Sequence, residues 1–170
     1  ELMKRQGYTT GLFGKWAGGH EESVSTPDRR GVDEFFGYIC QYQAHLYYPD
    51  FLNRFSREKG DTSVTRVVME DNIRFSHDLA EYMQRPQYSA DMIHQKALEW
   101  IDSQNEAKPF FGMLTYTLPH AELVGPTDSL YRSYEKRFEN GPDWKAYTGS
   151  RYHSTDNVHA HYAAMVSRLD

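Results

Sequence analysis

The clearest periodicity in the chain lies just past its midpoint, where Ala90, Ile93, Ala97 and Ile101 recur at three- and four-residue steps. That spacing places them on one stripe of an amphipathic helix. Ser89 ahead of them suits an N-cap, because its hydroxyl can accept from the free amides of the first turn. Pro109 closes the next linker, and the apolar run Phe110-Phe111-Gly112-Met113-Leu114-Thr115-Tyr116 predicts a buried strand. Helix, short loop and strand predict half of a βαβ unit on a parallel sheet. Near the start, residues 1–6 read as the last turn of a helix and Gly7 as its stop. Tyr8 to Phe13 is rich in β-formers and reads as a strand, ending in the glycine-dense loop Gly14-Lys15-Trp16-Ala17-Gly18-Gly19-His20.

No period is sustained from His20 to about Gly60. Pro27, Gly31, Gly37 and Pro49 punctuate this stretch, and Phe35, Phe36, Tyr38, Tyr42, Tyr47, Tyr48 and Phe51 crowd it. It is expected to be a long loop, either functional or packed by its own side chains. The alternation Val64, Arg66, Val68 predicts a strand within 62–69, one arm of a hairpin. After the loop Leu118-Pro119-His120-Ala121, a Pro-, Gly- and Tyr-rich connection runs to Tyr152 with one short helix near Ser129–Phe138. A final helix begins near Asp156, with Asp156-Asn157 as its cap. The expected fold class is α/β: a mostly parallel sheet flanked by helices, with long ordered loops.

Composition narrows the partners. A formal charge of −5, spread evenly over 170 residues, argues against a nucleic-acid backbone. No apolar run approaches the roughly 20 residues of a membrane helix, and no signal peptide is visible. Cys40 is the only cysteine, so neither an internal disulfide nor a cysteine metal cluster can form. Its apolar-aromatic context, Gly37-Tyr38-Ile39-Cys40-Gln41-Tyr42, predicts a buried, inert thiol. The chain opens without Met inside a helical phrase and stops in mid-helix, so residues 1–170 are expected to be an internal piece of a longer domain. The compartment stays open.

Two loops place a basic side chain at a strand's carboxyl end, where α/β domains bind ligands: Lys15 and His120. If the two strands are neighbours, both groups face one pocket, and the pair suits an anionic substrate. Lysine brings a compact positive charge, and histidine can protonate a leaving oxygen. A solvated lysine and an ordinary Pro-His turn are the plainer alternatives. His153, His159 and His161 invite a metal reading, but residues two apart on a helix point to different sides, so no metal ligand is assigned. The tyrosine-rich loop is either a platform for sugar faces or packed on itself.

The phrase Gly7-Tyr8-Thr9-Thr10-Gly11-Leu12-Phe13-Gly14-Lys15-Trp16 resembles the second signature of the sulfatase family. Gly31-Val32-Asp33-Glu34-Phe35-Phe36-Gly37-Tyr38 is similar to its Gly-Phe-Asp-x-Phe-x-Gly segment. Gln41 to Pro49 resembles a stretch of bacterial arylsulfatase-type members, and Lys108-Pro109-Phe110-Phe111 through Pro119-His120 resembles the family's strand and loop. Tyr162-Ala163-Ala164-Met165-Val166 through Asp170 matches its following helix. Five phrases in family order are a specific signal.

The resemblance implies an alkaline-phosphatase-like domain that hydrolyses sulfate esters with a formylglycine nucleophile beside a bound calcium. The nucleophile and metal ligands of the family lie in regions this sequence lacks, so the chain alone is expected to be inactive. Two catalytic roles carry over: Lys15 matches the lysine that contacts formylglycine and sulfate, and His120 the histidine that binds sulfate and protonates the leaving oxygen. A third does not, because the histidine of Gly-Lys-Trp-His is Ala17 here. His45 and His20 are the candidates to replace it and to contact substrate. The implied substrate is a sulfated carbohydrate or aryl sulfate, and the implied location periplasmic or secreted. A truncated sheet is expected to self-associate. A related phosphodiesterase or phosphonate hydrolase, or a non-catalytic carbohydrate-binding module, remain the alternatives.

Overall fold

The computed structural model describes residues 1–138, 152, 155 and 157–170. Five strands form one sheet in the order β4-β3-β2-β1-β5, with β1 at Thr9–Lys15, β2 at Glu34–Tyr38, β3 at Phe51–Ser56, β4 at Thr65–Val68 and β5 at Phe110–Thr115. β1 pairs in parallel with both β2 and β5, while β3 and β4 run antiparallel at the far side. The three parallel strands therefore end at one edge of the sheet, and their following loops are neighbours.

Residues 20–60 do not form one long loop, as their lack of period suggested; they hold β2 and β3. In β2 the successive residues Phe35 and Phe36 are 0 % and 6 % exposed, so both faces of the strand are covered. A strand buried on both faces shows no polar alternation to read. Phe13, Phe36 and Leu52 pack with Ile93, Ala97 and Trp100 on one face, and Leu12, Phe35, Ile39 and Phe55 pack together on the other. The predicted strand within 62–69 is β4, paired with β3 from Phe51↔Val68 to Arg54↔Thr65.

Helix α1 (Leu2–Arg5) stops before Gly7, and a single turn, α2, covers Leu79–Tyr82. The predicted amphipathic helix is α3, Ser89–Asp102. Its buried stripe is Ser89, Ile93, Ala97 and Trp100, with Ile101 left 36 % exposed. The larger Trp100 ring takes the inward position, lying against Gly11 and Gly112 and meeting Phe13 and Phe110 at 5.5 and 5.4 Å. Ser89 does not cap the helix. It is fully buried as the first helical residue, and its amide donates to the Tyr47 carbonyl at 2.8 Å.

Strand β5 was expected to be buried, yet Phe110, Phe111, Met113 and Leu114 are 38–48 % exposed. It is the edge strand, and no described residue covers its outer side. Cys40 is also exposed rather than buried: β2 ends at Tyr38, Ile39 is the last inward residue, and the thiol turns outward. Helices α4 (Ser129–Arg137) and α5 (Val158–Leu169) pack together through Tyr131, Ala160 and Ala164. Asp128 and Asn157 cap them, accepting from the Tyr131 and Ala160 amides at 3.1 Å each. The connection expected before α5 falls mostly outside the described residues. Among the described residues no helix is long and apolar enough to cross a membrane.

Candidate active site

Each parallel strand delivers one basic side chain to the same edge. Lys15 is the last residue of β1, His45 closes a 3₁₀ turn (Gln43–His45) in the loop after β2, and His120 lies in the loop after β5. They line one cleft of about 280 Å³ together with Ala44, Thr115, Tyr116 and Thr117. The backbone beneath is tightly apposed. Gly14 has φ 123° and Gly37 φ 154°, and a methyl on either would sit 2.2 Å from the Thr115 carbonyl oxygen or 1.9 Å from that of Gly14. Only glycine fits such an approach, and it brings the ends of three strands close enough to share a ligand.

The His45 and His120 rings stack, with centroids 4.6 Å apart and planes inclined by 18°. His120 Nδ1 lies 2.6 Å from the Ala121 carbonyl oxygen. A carbonyl can only accept, so Nδ1 carries a proton and Nε2 is the nitrogen left to meet a ligand. His45 Nδ1 lies 3.0 Å from the Tyr152 hydroxyl. Burial, then the neighbouring His120 and Lys15, hold the His45 pKa below its ordinary value, which favours the neutral ring. No carboxylate among the described residues pairs with the Lys15 ammonium. Among the described residues the cleft thus presents the Lys15 cation without a paired carboxylate and two imidazoles, an arrangement complementary to an anion.

Behind the cleft a layer of tyrosines holds these groups. The Tyr47 hydroxyl lies 2.9 Å from the Thr117 carbonyl and 3.0 Å from that of His120, latching the His120 turn to the His45 segment. The Glu122 amide donates to the His45 carbonyl at 3.4 Å. The Glu122 side chain is fully buried and hydrogen-bonded to Tyr82, whose hydroxyl burial and this carboxylate push far above its ordinary pKa, keeping it a donor. Tyr47, Tyr48, Tyr82 and Tyr88 form a packed cluster, so most of the tyrosine-rich region packs on itself; Tyr42 is the exposed exception.

His20 is not brought to this cleft. It is exposed in a separate depression with Glu21, Cys40, Tyr42 and Arg66, where Glu21 pairs with Arg66 at 2.5 Å. His161 is buried against Tyr131, with ring centroids 4.2 Å apart, and burial drops its pKa to about 4. His159 stands near the Phe138 ring, and His153 lies outside the described residues. Among the described residues no group of three or more His, Cys, Asp or Glu side chains could hold a metal ion. Ala17, with φ 54°, offers only a methyl group. Tyr152, Glu122 and the Tyr47 latch escaped the sequence reading. His45 and Tyr152 lie 107 residues apart, and no local pattern links them.

The family model described as Sulfatase matches residues 1–170. The chain is 25% identical over 171 residues to arylsulfatase J of Mus musculus, covering 100% of this chain and 23% of that protein. It is 24% identical over 200 residues to an arylsulfatase of Klebsiella aerogenes, covering 100% and 40%. An uncharacterized sulfatase of Schizosaccharomyces pombe is 27% identical over 149 residues, covering 84% and 24%. The chain therefore spans less than half the length of these relatives. Among solved structures, the PsFucS1 sulfatase from Pseudoalteromonas sp. superposes with a TM-score of 0.54 at 15% identity, covering 99% of this chain and 32% of that one. Ps i-CgsB in complex with k-i-k-neocarrahexaose gives 0.54 at 21%, with the same coverage. These likenesses establish the fold. With a family model matched from first residue to last, the chain belongs to the sulfatase family.

Proposed function

We propose that the full-length protein hydrolyses sulfate monoesters and that these residues supply its anion clamp and leaving-group acid. The convergence of Lys15, His45 and His120 on one cleft, with no carboxylate among the described residues paired to Lys15, carries the reading. A sulfate monoester keeps a negative charge at neutral pH, which the Lys15 ammonium attracts into a partly desolvated site. When the bond between sulfur and the organic oxygen breaks, its electron pair stays on that oxygen. An alkoxide leaves poorly, so His120, protonated on both nitrogens, gives the Nε2 proton to it. His45 contacts the anion. His20, in its separate depression, is proposed at most to touch a more distant part of the substrate.

Family membership brings the expectation of calcium and formylglycine. The described residues do not fit either group, because they hold no metal cluster and Cys40 opens into the His20 depression away from Lys15. We therefore place the nucleophile and metal ligands outside the described residues and assign no step here to them. A sulfated carbohydrate is the favoured substrate class, supported by the open cleft and by the carbohydrate held in the i-CgsB structure.

The test is hydrolysis of p-nitrophenyl sulfate by the full-length protein and by its Lys15→Ala and His120→Ala variants. Each substitution is expected to lower kcat by about 10²–10⁴-fold. His120→Ala should lose less on p-nitrophenyl sulfate than on a sugar sulfate, because nitrophenolate leaves without a proton. Wild-type rates in both variants would remove the assignment, and preference for bis-p-nitrophenyl phosphate would redirect it to phosphodiester hydrolysis.

A further inference from the structure

A neutral imidazole has one N–H and one lone pair, and its use in an anion-binding cleft depends on which nitrogen holds the proton. The backbone of His45 is held on both sides: its amide donates to the Tyr42 carbonyl at 3.3 Å and its carbonyl accepts from the Glu122 amide. Its ring stacks on His120. Ring flip and tautomer remain to be decided, and the group placed to decide them is Tyr152. The Tyr152 hydroxyl is 3.0 Å from His45 Nδ1, and its ring centroid stands 5.3 Å from that of His45.

Two arrangements satisfy this contact. In one, His45 Nδ1–H donates to the tyrosine oxygen, and the Nε2 lone pair then faces the bound anion, lone pair against negative oxygen. In the other, the tyrosine hydroxyl donates to Nδ1, and Nε2–H faces the anion as a donor. A cleft that already brings Lys15 from β1 and His120 from the β5 loop to meet negative charge favours the second. We infer that Tyr152 is a positioning residue for this site: its hydroxyl donates to His45 Nδ1 and keeps the ring proton on Nε2, where it is offered to an oxygen of the bound sulfate ester. The inference rests on the anion-cleft reading above and adds to it the residue that makes His45 a donor. Lys15, His120 and Tyr152 face the His45 ring, and Glu122 meets its backbone from the β5 loop; in neutral solution the lowered pKa of His45 keeps it in the form that needs a tautomer choice.

The experiment compares the full-length protein with its Tyr152→Phe, His45→Gln and doubly substituted variants, each checked for an unchanged melting temperature. In ¹⁵N-histidine NMR spectra at pH 7.5, wild-type His45 is expected as the Nε2–H tautomer and Tyr152→Phe as a mixture. With p-nitrophenyl sulfate, Tyr152→Phe is expected to raise KM about tenfold while kcat stays within about threefold. In the His45→Gln background the same change should add nothing, since the hydroxyl acts through the imidazole. An Nδ1–H tautomer in the wild type, an unchanged tautomer in Tyr152→Phe, or a full Tyr152→Phe effect persisting without His45 would overturn the inference. Failure of the underlying reading shows separately, as wild-type turnover by Lys15→Ala and His120→Ala, and the NMR result stands whether or not the aryl sulfate is turned over.

Discussion

At the scale of single residues the cleft depends as much on absent side chains as on present ones. Gly37 and Gly14 lie in register on adjacent strands immediately below Lys15, and an added methyl at 37 would meet the Gly14 carbonyl oxygen at 1.9 Å. That contact is with backbone and cannot be relieved by a rotamer change, and the φ of 154° adds strain for any L side chain. Gly37→Ala is expected to destabilise the protein by about 2–4 kcal/mol. It should also weaken sulfate binding beyond that loss, because separating the strand ends moves Lys15 from His120. Urea denaturation and inhibition by inorganic sulfate measure the two effects; a stability loss under about 0.5 kcal/mol would show that the close approach is not maintained in solution. Lys15 and His120 were legible in the sequence because each sits in a short phrase at a strand's end. The Tyr47, Glu122 and Tyr152 contacts were not, since hydrogen bonds between segments far apart in the chain leave no periodicity.

At the scale of elements, one carboxylate ties the amino ends of the parallel strands together, opposite the cleft. Asp33, just ahead of β2, pairs with Lys4 of α1, with Arg57 after β3 at 3.1 Å, and with the Thr10 hydroxyl of β1 at 3.0 Å. Burial raises its pKa, but hydrogen bonds from Lys4 and Thr10 more than offset this and hold it below the ordinary carboxylate range. A carboxyl with a depressed folded-state pKa contributes stability that is present above its unfolded value and is lost as pH falls through the folded one. Asp33→Asn should therefore cost about 1–2 kcal/mol at pH 7, with the difference closing below about pH 4. Melting temperatures of both proteins between pH 7 and 3 test this, and a constant gap across the range would refute it. The same scale shows what patterning can and cannot reveal. Helix α3 announced itself because one face is wet and the other dry, although Trp100 displaced Ile101 from the inward position. Strands β2 and β3 were silent because the sheet is covered on both sides there, so their apolar residues follow no two-residue rhythm.

At the scale of the whole molecule, β5 carries the pattern of an interior strand in the position of an edge. Its Phe110, Phe111, Met113 and Leu114 side chains project to both faces and are each at least 38 % exposed. Its outer backbone row has no partner strand among the described residues. An apolar edge of this kind pairs with whatever strand reaches it. In solution by themselves, residues 1–170 are therefore expected to associate, sedimenting above the 19.9 kDa of a single copy with a concentration-dependent mass. Replacing Phe111 and Leu114 together with Lys should shift that mass toward the monomer, because a charge on each face opposes edge-to-edge pairing. The cleft lies at the carboxyl end of the same strand, so association along β5 need not close it. The segment is accordingly expected to bind inorganic sulfate weakly, with loss of binding in Lys15→Ala, while releasing no product from p-nitrophenyl sulfate. Analytical ultracentrifugation, sulfate titration and a colorimetric assay on one preparation separate the three behaviours. Turnover by the segment alone would mean that it contains a nucleophile, and the assignment of that group to another part of the protein would fall.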